Sequence, residues 1–277
     1  MIEIFEAIVN YQFMRNALAA SLLASIVCGI VGVIVTEKKL LMMSGGIAHT
    51  AYGGVGLGYL CGFEPMLGAI GFSLAAALGI GCVKRRAGAH SEVMIALFWS
   101  LGMALGVLFV SFMPVYPPDM SSYLFGNILT VSESNLAVMG VLTAIILAAV
   151  LIFYNDWKAF LFDPEFAGII GFRSTLFEYL TLVLVALTSV TLIRVAGIIL
   201  TIALLTAPAA ISKLFSRRFG GRMLLASVIG GVICLTGLCL SYFFDLPSGS
   251  VIIVLSVLCY FAALGVSRLR DGRRSKR

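Results

Sequence analysis

The chain has 277 residues, of which 61% are hydrophobic and 12% charged, with a mean hydropathy of +1.08. Soluble domains run at about 45–50% apolar and about 25% charged, so this composition excludes a soluble globular fold and, equally, a disordered chain. The apolar residues are spread over the whole length, which excludes a single anchored helix and leaves an all-α, polytopic integral membrane protein. The net charge of +6 would point a soluble chain towards nucleic acid. Here it reads instead as topology, with no nucleic-acid partner expected.

Nine apolar segments follow one another, at 17–36, 40–62, 66–83, 93–113, 136–154, 179–193, 195–212, 223–243 and 250–267. The sixth is short and only Arg194 parts it from the seventh, so the count is eight if those two are one. No intervening loop is long enough for a soluble domain, and 1–277 reads as a single transmembrane domain. Alternating nine spans places 17 of the 19 Lys and Arg residues on one side, leaving only Arg15 and Arg194 opposite. Basic residues collect on the cytoplasmic side, so the expected arrangement is a plasma or inner membrane protein with its N-terminus outside and its C-terminus in the cytoplasm. The basic tail, 268–277, is then placed to touch anionic lipid headgroups. Glu3 and Glu6 precede Arg15 without a cleavable signal pattern. The six cysteines form no CxxC pair and read as small packing residues.

Along the second segment, residues 53–58 carry four glycines, with Gly54 and Gly58 spaced as GxxxG, which suits a helix buried among other helices. His49 lies nine residues after Leu40, which at 1.5 Å per residue puts it about 13 Å deep, near the bilayer midplane. An ionisable residue at that depth faces the bundle or a water-filled path. Gly45 and Gly53 stand one turn away on either side, with Met42 and Tyr52 as neighbours, so this face is expected to leave space beside the imidazole. Two readings stay open from position alone: a ligand for a borderline transition metal, or a histidine hydrogen-bonded to a neighbouring carbonyl.

No Asp or Glu falls in the middle of a span, which argues against a carrier driven by protons or sodium. The GxxxxGK[ST], GxSxG and HExxH patterns are all absent, so the chain reads as no enzyme, and any ATP is bound by a partner. His90 and Glu92 form either a local polar pair or a solvated loop. The longest cytoplasmic loop is 155–178. Within it, 163–171 reads as a short helix: Asp163 caps it, Pro164 suits its first position and Gly171 closes it. Such a helix either docks into a partner's groove or lies along the interface.

Taken in order, these motifs resemble the permease subunit of ATP-binding-cassette importers for zinc, manganese and iron. The resemblance rests on Leu41-Met42-Met43-Ser44-Gly45-Gly46-Ile47-Ala48-His49-Thr50 with its glycine run, and on Tyr123-Leu124-Phe125-Gly126-Asn127-Ile128-Leu129. It continues in Asp163-Pro164-Glu165-Phe166-Ala167 with Gly171, in Gly197 to Ala210, and in Asp245-Leu246-Pro247-Ser248-Gly249. It covers nearly the whole chain.

The resemblance implies a fold similar to the cobalamin and iron-siderophore permeases. It also implies a homodimer working with two cytoplasmic ATPase subunits and an external metal-binding protein. Asp163, Pro164, Glu165, Phe166, Ala167 and Gly171 would form the coupling helix, and His49 would line the translocation path. No cofactor of its own is implied, since the metal ion is cargo. One position departs from the family: an Asp usually stands four residues before the histidine, and here that residue is Gly45. A chelated metal or other small solute therefore stays open as cargo. The other function classes are an ATPase-independent carrier or channel, and a membrane scaffold.

Overall fold

The computed structural model describes residues 10–87, 91–114, 121–126, 128–162 and 173–274, and the regular elements among them are all helices. In chain order they are α1 (Gln12–Glu37), α2 (Leu41–Cys61), α3 (Pro65–Ala87), α4 (Ser91–Ser111), the short α5 (Ser121–Phe125), a 3-10 turn (Ile128–Thr130), α6 (Glu133–Ile152), α7 (Tyr154–Phe162), α8 (Ser174–Phe215), α9 (Phe219–Phe244) and α10 (Ser248–Arg274). Hydrocarbon offers the backbone no hydrogen bonds, so a spanning segment must satisfy its own, and a helix does so. Buried hydroxyls follow the same rule: Thr181, Ser189, Thr201 and Ser256 each donate to the carbonyl one turn earlier.

The 42 residues of α8 do not make one straight rod. Gly197 has φ 70° and ψ 169°, a conformation essentially closed to residues with a Cβ, and it breaks the helix. Near the start of α8, Glu178 pairs with Lys84. At its other end, Lys213 pairs with Glu37 at 3.1 Å, next to Lys38. Gly197 meanwhile packs against Gly126, at the far end of the molecule. The chain therefore doubles back at Gly197, and α8 supplies two spans, Ser174–Ile193 and Ala196–Phe215. The expected break at Arg194 is thus corrected: it falls three residues later, where glycine permits the turn.

Eight stretches among the described residues are long and apolar enough to cross a membrane. α2, whose 21 residues run between two of them, is not among the eight. Its hydropathy is lowered by six glycines after Ser44 and by His49. α2 is packed chiefly between α3 and α4, while α1 is packed between α8 and α9, and α8 touches both groups. In a bilayer the apolar effect does not drive helices together, so close backbone approach does the work. Gly54 of α2 meets Gly68 of α3 backbone to backbone, and a Cβ on Gly56 would stand 2.5 Å from the carbonyl oxygen of Gly106 on α4. Exposed Leu97, Leu101 and Leu108 on α4, and Val254, Leu258 and Phe261 on α10, form an outer surface suited to hydrocarbon.

The end of the bundle that carries Lys38, Lys84, Lys213 and Arg222 is the basic face. A cavity of about 310 Å³, lined by Lys38, Lys84, Arg85, Phe160 and Glu178, opens there. Burial pushes the Lys38 ammonium below the usual lysine range; the Glu178 carboxylate opposes that shift and Lys84 adds to it. Lys38 also sits 3.7 Å from the centre of the Phe160 ring. α7 occupies the first part of the loop expected at 155–178, a helix absent from the sequence reading. It is anchored by Trp157, which is fully buried against Phe160 and Phe177.

Candidate functional site

The glycines of α2 let two neighbouring helices approach its middle, and this closeness decides what surrounds His49. From residue 43 to 56 every α2 residue is buried. Thr50 turns its hydroxyl towards two carbonyls, that of Gly46 on its own helix at 2.7 Å and that of Phe98 on α4 at 3.1 Å. This bond fixes the register of α4 on α2, and with it the two α4 side chains that flank the histidine. Trp99 stacks its ring on the imidazole, with centroids 4.0 Å apart and planes 16° from parallel. Met103, one turn on, brings its Sδ to 3.4 Å from His49 Nδ1. His49 itself is only 7% exposed.

The open space expected beside the imidazole is therefore filled. A Cβ on Gly45 would stand 3.2 Å from Cζ3 of Trp99 and 3.7 Å from Cδ1 of Ile202 on α8. The small residues of α2 do not leave a void; they admit large side chains from α4. Of the expected neighbours, Tyr52 is buried and Met42 is exposed. Among the described residues, the polar neighbour of the His49 ring is a thioether. Among the described residues there is no cluster of three or more His, Cys, Asp and Glu side chains able to hold a metal. The groups here that could meet a cation are one imidazole nitrogen and one sulfur, on a histidine that is mostly buried.

Spacing along α2 alone does not reach Trp99 and Met103, which come from α4. The usable signal is a second small-residue pair, Gly102 and Gly106, one turn apart on α4. Gly102 would meet Thr50, and Gly106 would meet Tyr52, so this is the face that packs on α2. Trp99 and Met103 share that face by helical spacing.

At the opposite end from the basic face, three stretches distant in sequence converge. The backbones of Gly126 and Gly197 touch, Gly249 lies against the Phe125 carbonyl, and Ile128 donates its N–H to Ser248 Oγ at 3.2 Å. Tyr59, at the end of α2, bonds Tyr123 hydroxyl to hydroxyl at 2.8 Å. The stretches around Tyr123, Gly197 and Ser248 thus form one junction that holds the turn of α8 beside the end of α2.

The expected coupling residues Asp163, Pro164, Glu165, Phe166, Ala167 and Gly171 lie outside the described residues, as does His90. Their flanks are described: α7 ends at Phe162 and α8 begins at Ser174, both on the basic face. Glu92 is exposed on the first turn of α4. Cys28 and Cys234 are buried, Cys61, Cys82 and Cys259 are exposed, and none of the six is in a disulfide.

Comparison with known proteins gives this architecture a family. Residues 10–267 match the model of the ABC 3 transport family. An uncharacterized membrane protein of Synechocystis sp. is 41% identical over 97% of this chain and 95% of its own. The manganese transport system membrane protein MntC of Listeria monocytogenes is 31% identical over 93% of this chain and 92% of its own. The solved structure of PsaBC from Streptococcus pneumoniae in complex with Fab superposes with a TM-score of 0.87 at 30% identity, covering 95% of both chains. A multi-pass helical chain matched over nearly its whole length in this way belongs to the ABC 3 transport family, the membrane permeases of metal importers.

Proposed function

We propose that the chain is the translocating subunit of an importer for a divalent transition metal ion, zinc, manganese or iron, and that the ion passes His49. The observation that carries this reading is the imidazole itself, buried at the middle of α2 and held in one plane by Trp99. An imidazole at mid-membrane is a good ligand for such ions and a costly residue to keep without a role. In this reading two copies assemble side by side, and an extracytoplasmic metal-binding protein delivers the ion at the end that carries Tyr59 and Tyr123. A cytoplasmic ATP-binding-cassette ATPase docks on the basic face through residues 163–171. The N-terminus then lies outside and the C-terminus inside. ATP hydrolysis in the partner drives the change in access, and no chemistry on the cargo is required of this chain.

The test is uptake of zinc and manganese by cells carrying the transporter, with His49→Ala and, separately, Glu165→Ala with Phe166→Ala. His49→Ala is expected to cut uptake at least tenfold while the protein still assembles with its ATPase. The double variant is expected to lose the ATPase or to hydrolyse ATP without transport. Wild-type uptake by a stably folded His49→Ala protein would overturn the role of the histidine.

A further inference from the structure

We infer that Met103 is a second ligand for the cargo, and that the pair of His49 Nδ1 and Met103 Sδ biases this permease towards the softer ions of its range, zinc above manganese. The inference rests on the reading of His49 as a cargo ligand and adds the donor that sets its selectivity.

The geometry suits an ion held by both atoms. Zinc bonds imidazole nitrogen at about 2.0–2.1 Å and thiolate sulfur at about 2.3 Å; a neutral thioether bonds at least as far out, so a tetrahedral angle separates nitrogen from sulfur by roughly 3.5 Å or slightly more. The observed separation of Nδ1 and Sδ is 3.4 Å. Trp99 does not compete for the metal. It covers a face of the imidazole ring, whereas a metal binds in the ring plane along the nitrogen lone pair. Binding through Nδ1 places the ring proton on Nε2. The stack on Trp99 and the Thr50 bonds to Gly46 and Phe98 hold the two donors in register before any ion arrives.

What is missing from this face matters as much. The residue one turn before His49 is Gly45, where a Cβ would press on the Trp99 indole at 3.2 Å. No carboxylate is therefore presented from that position. Oxygen donors suit manganese, whereas imidazole and thioether suit zinc and still softer ions. Two protein donors are also fewer than the four of a closed structural zinc site, so the ion is held loosely enough to move on.

Most nitrogen sites bind zinc more tightly than manganese, so the informative quantity is how that preference depends on Met103. The purified full-length permease is loaded with one equivalent of Zn²⁺ and studied by zinc-edge X-ray absorption, beside competitive titrations with Zn²⁺ and Mn²⁺. Exposed Cys61, Cys82 and Cys259 are replaced by serine throughout. The expected result is an imidazole-bound zinc with one sulfur neighbour at about 2.3–2.5 Å, the sulfur being lost in Met103→Leu. Met103→Leu conserves volume, so the fold is retained. Its zinc affinity is expected to fall about tenfold, with manganese binding nearly unchanged. Zinc that depends on His49 but keeps its spectrum and affinity in Met103→Leu would overturn the thioether ligand alone. Zinc that binds unchanged in His49→Ala would overturn the reading of the histidine as well.

Discussion

Glu37, the last residue of α1, accepts a hydrogen bond from Arg222 of α9 at 2.6 Å, and both side chains are only 13% exposed. Lys213, at the end of α8, approaches the same carboxylate oxygen at 3.1 Å but is about half exposed. One carboxylate thus ties three helices together on the basic face. The Arg222 guanidinium is anchored further by donating Nε–H to the Ser216 carbonyl at 2.9 Å. Glu37→Gln removes the negative charge while keeping the shape, and leaves a mostly buried guanidinium without its ion partner. The expected cost is on the order of 1–3 kcal/mol, nearly all of it from the Arg222 contact, because exposed pairs such as Lys213 contribute little. Thermal unfolding of the purified protein in detergent checks this. Lys213→Met should then lie within about 1 kcal/mol of wild type.

The turn of α8 gives the next expectation. Gly197 and Gly126 both have φ of 70°, and each leaves no room for a Cβ on the other's backbone. Gly197→Ala therefore meets two penalties, a conformation that costs about 1–3 kcal/mol for a residue with a side chain, and a collision with backbone that cannot rotate away. Its folded yield should drop severely. Gly71, which would meet nothing within 4 Å, tolerates alanine in the same assay. Equal yields from both variants would show that the helix can break elsewhere.

The spans could be read from the sequence because lipid imposes length and apolarity on each segment separately. The break between the sixth and seventh spans could be read too, but its exact residue could not, because nothing local distinguishes Gly197 among the 29 glycines of the chain. Its role depends on Gly126 and Gly249 arriving from elsewhere. The same limit applied around His49. Spacing along α2 gave its own-helix neighbours Gly45 and Gly53, yet Trp99 and Met103 come from another helix. Small residues along one helix therefore look like space, whereas in the fold they are where larger side chains enter. Apolar periodicity was no help in pairing the helices, since a lipid-facing surface is as apolar as an interior one.

Orientation is open to direct measurement. Phe63 lies between α2 and α3 at the end that carries Tyr59, and Arg217 lies between α8 and α9 on the basic face; both are exposed. In a cysteine-free background, Phe63→Cys is expected to react with an impermeant maleimide on intact cells. Arg217→Cys and Ser275→Cys should react only after permeabilisation. The reverse pattern would invert the proposed topology.

Gly45→Asp returns a carboxylate to the position one turn before His49, and two opposed consequences follow. Without metal, the new side chain starts from a Cβ placed 3.2 Å from Trp99 Cζ3, so the indole must shift from the imidazole. A carboxyl group near the centre of a spanning helix also costs about 2.5–3.5 kcal/mol on insertion scales. The metal-free variant should therefore melt earlier than wild type, with altered tryptophan fluorescence. With metal, the carboxylate gains a partner, and the site gains the oxygen donor that manganese prefers. An ion that binds only the folded state raises its stability as its concentration exceeds the dissociation constant, by about 2.7 kcal/mol at a hundredfold excess. Mn²⁺ is accordingly expected to restore most of the lost melting temperature in Gly45→Asp while moving wild type little. In cells, manganese uptake relative to zinc should rise. A variant as unstable with Mn²⁺ as without it would show that position 45 does not face the ion path, and that Trp99 rather than the cargo occupies that side of His49.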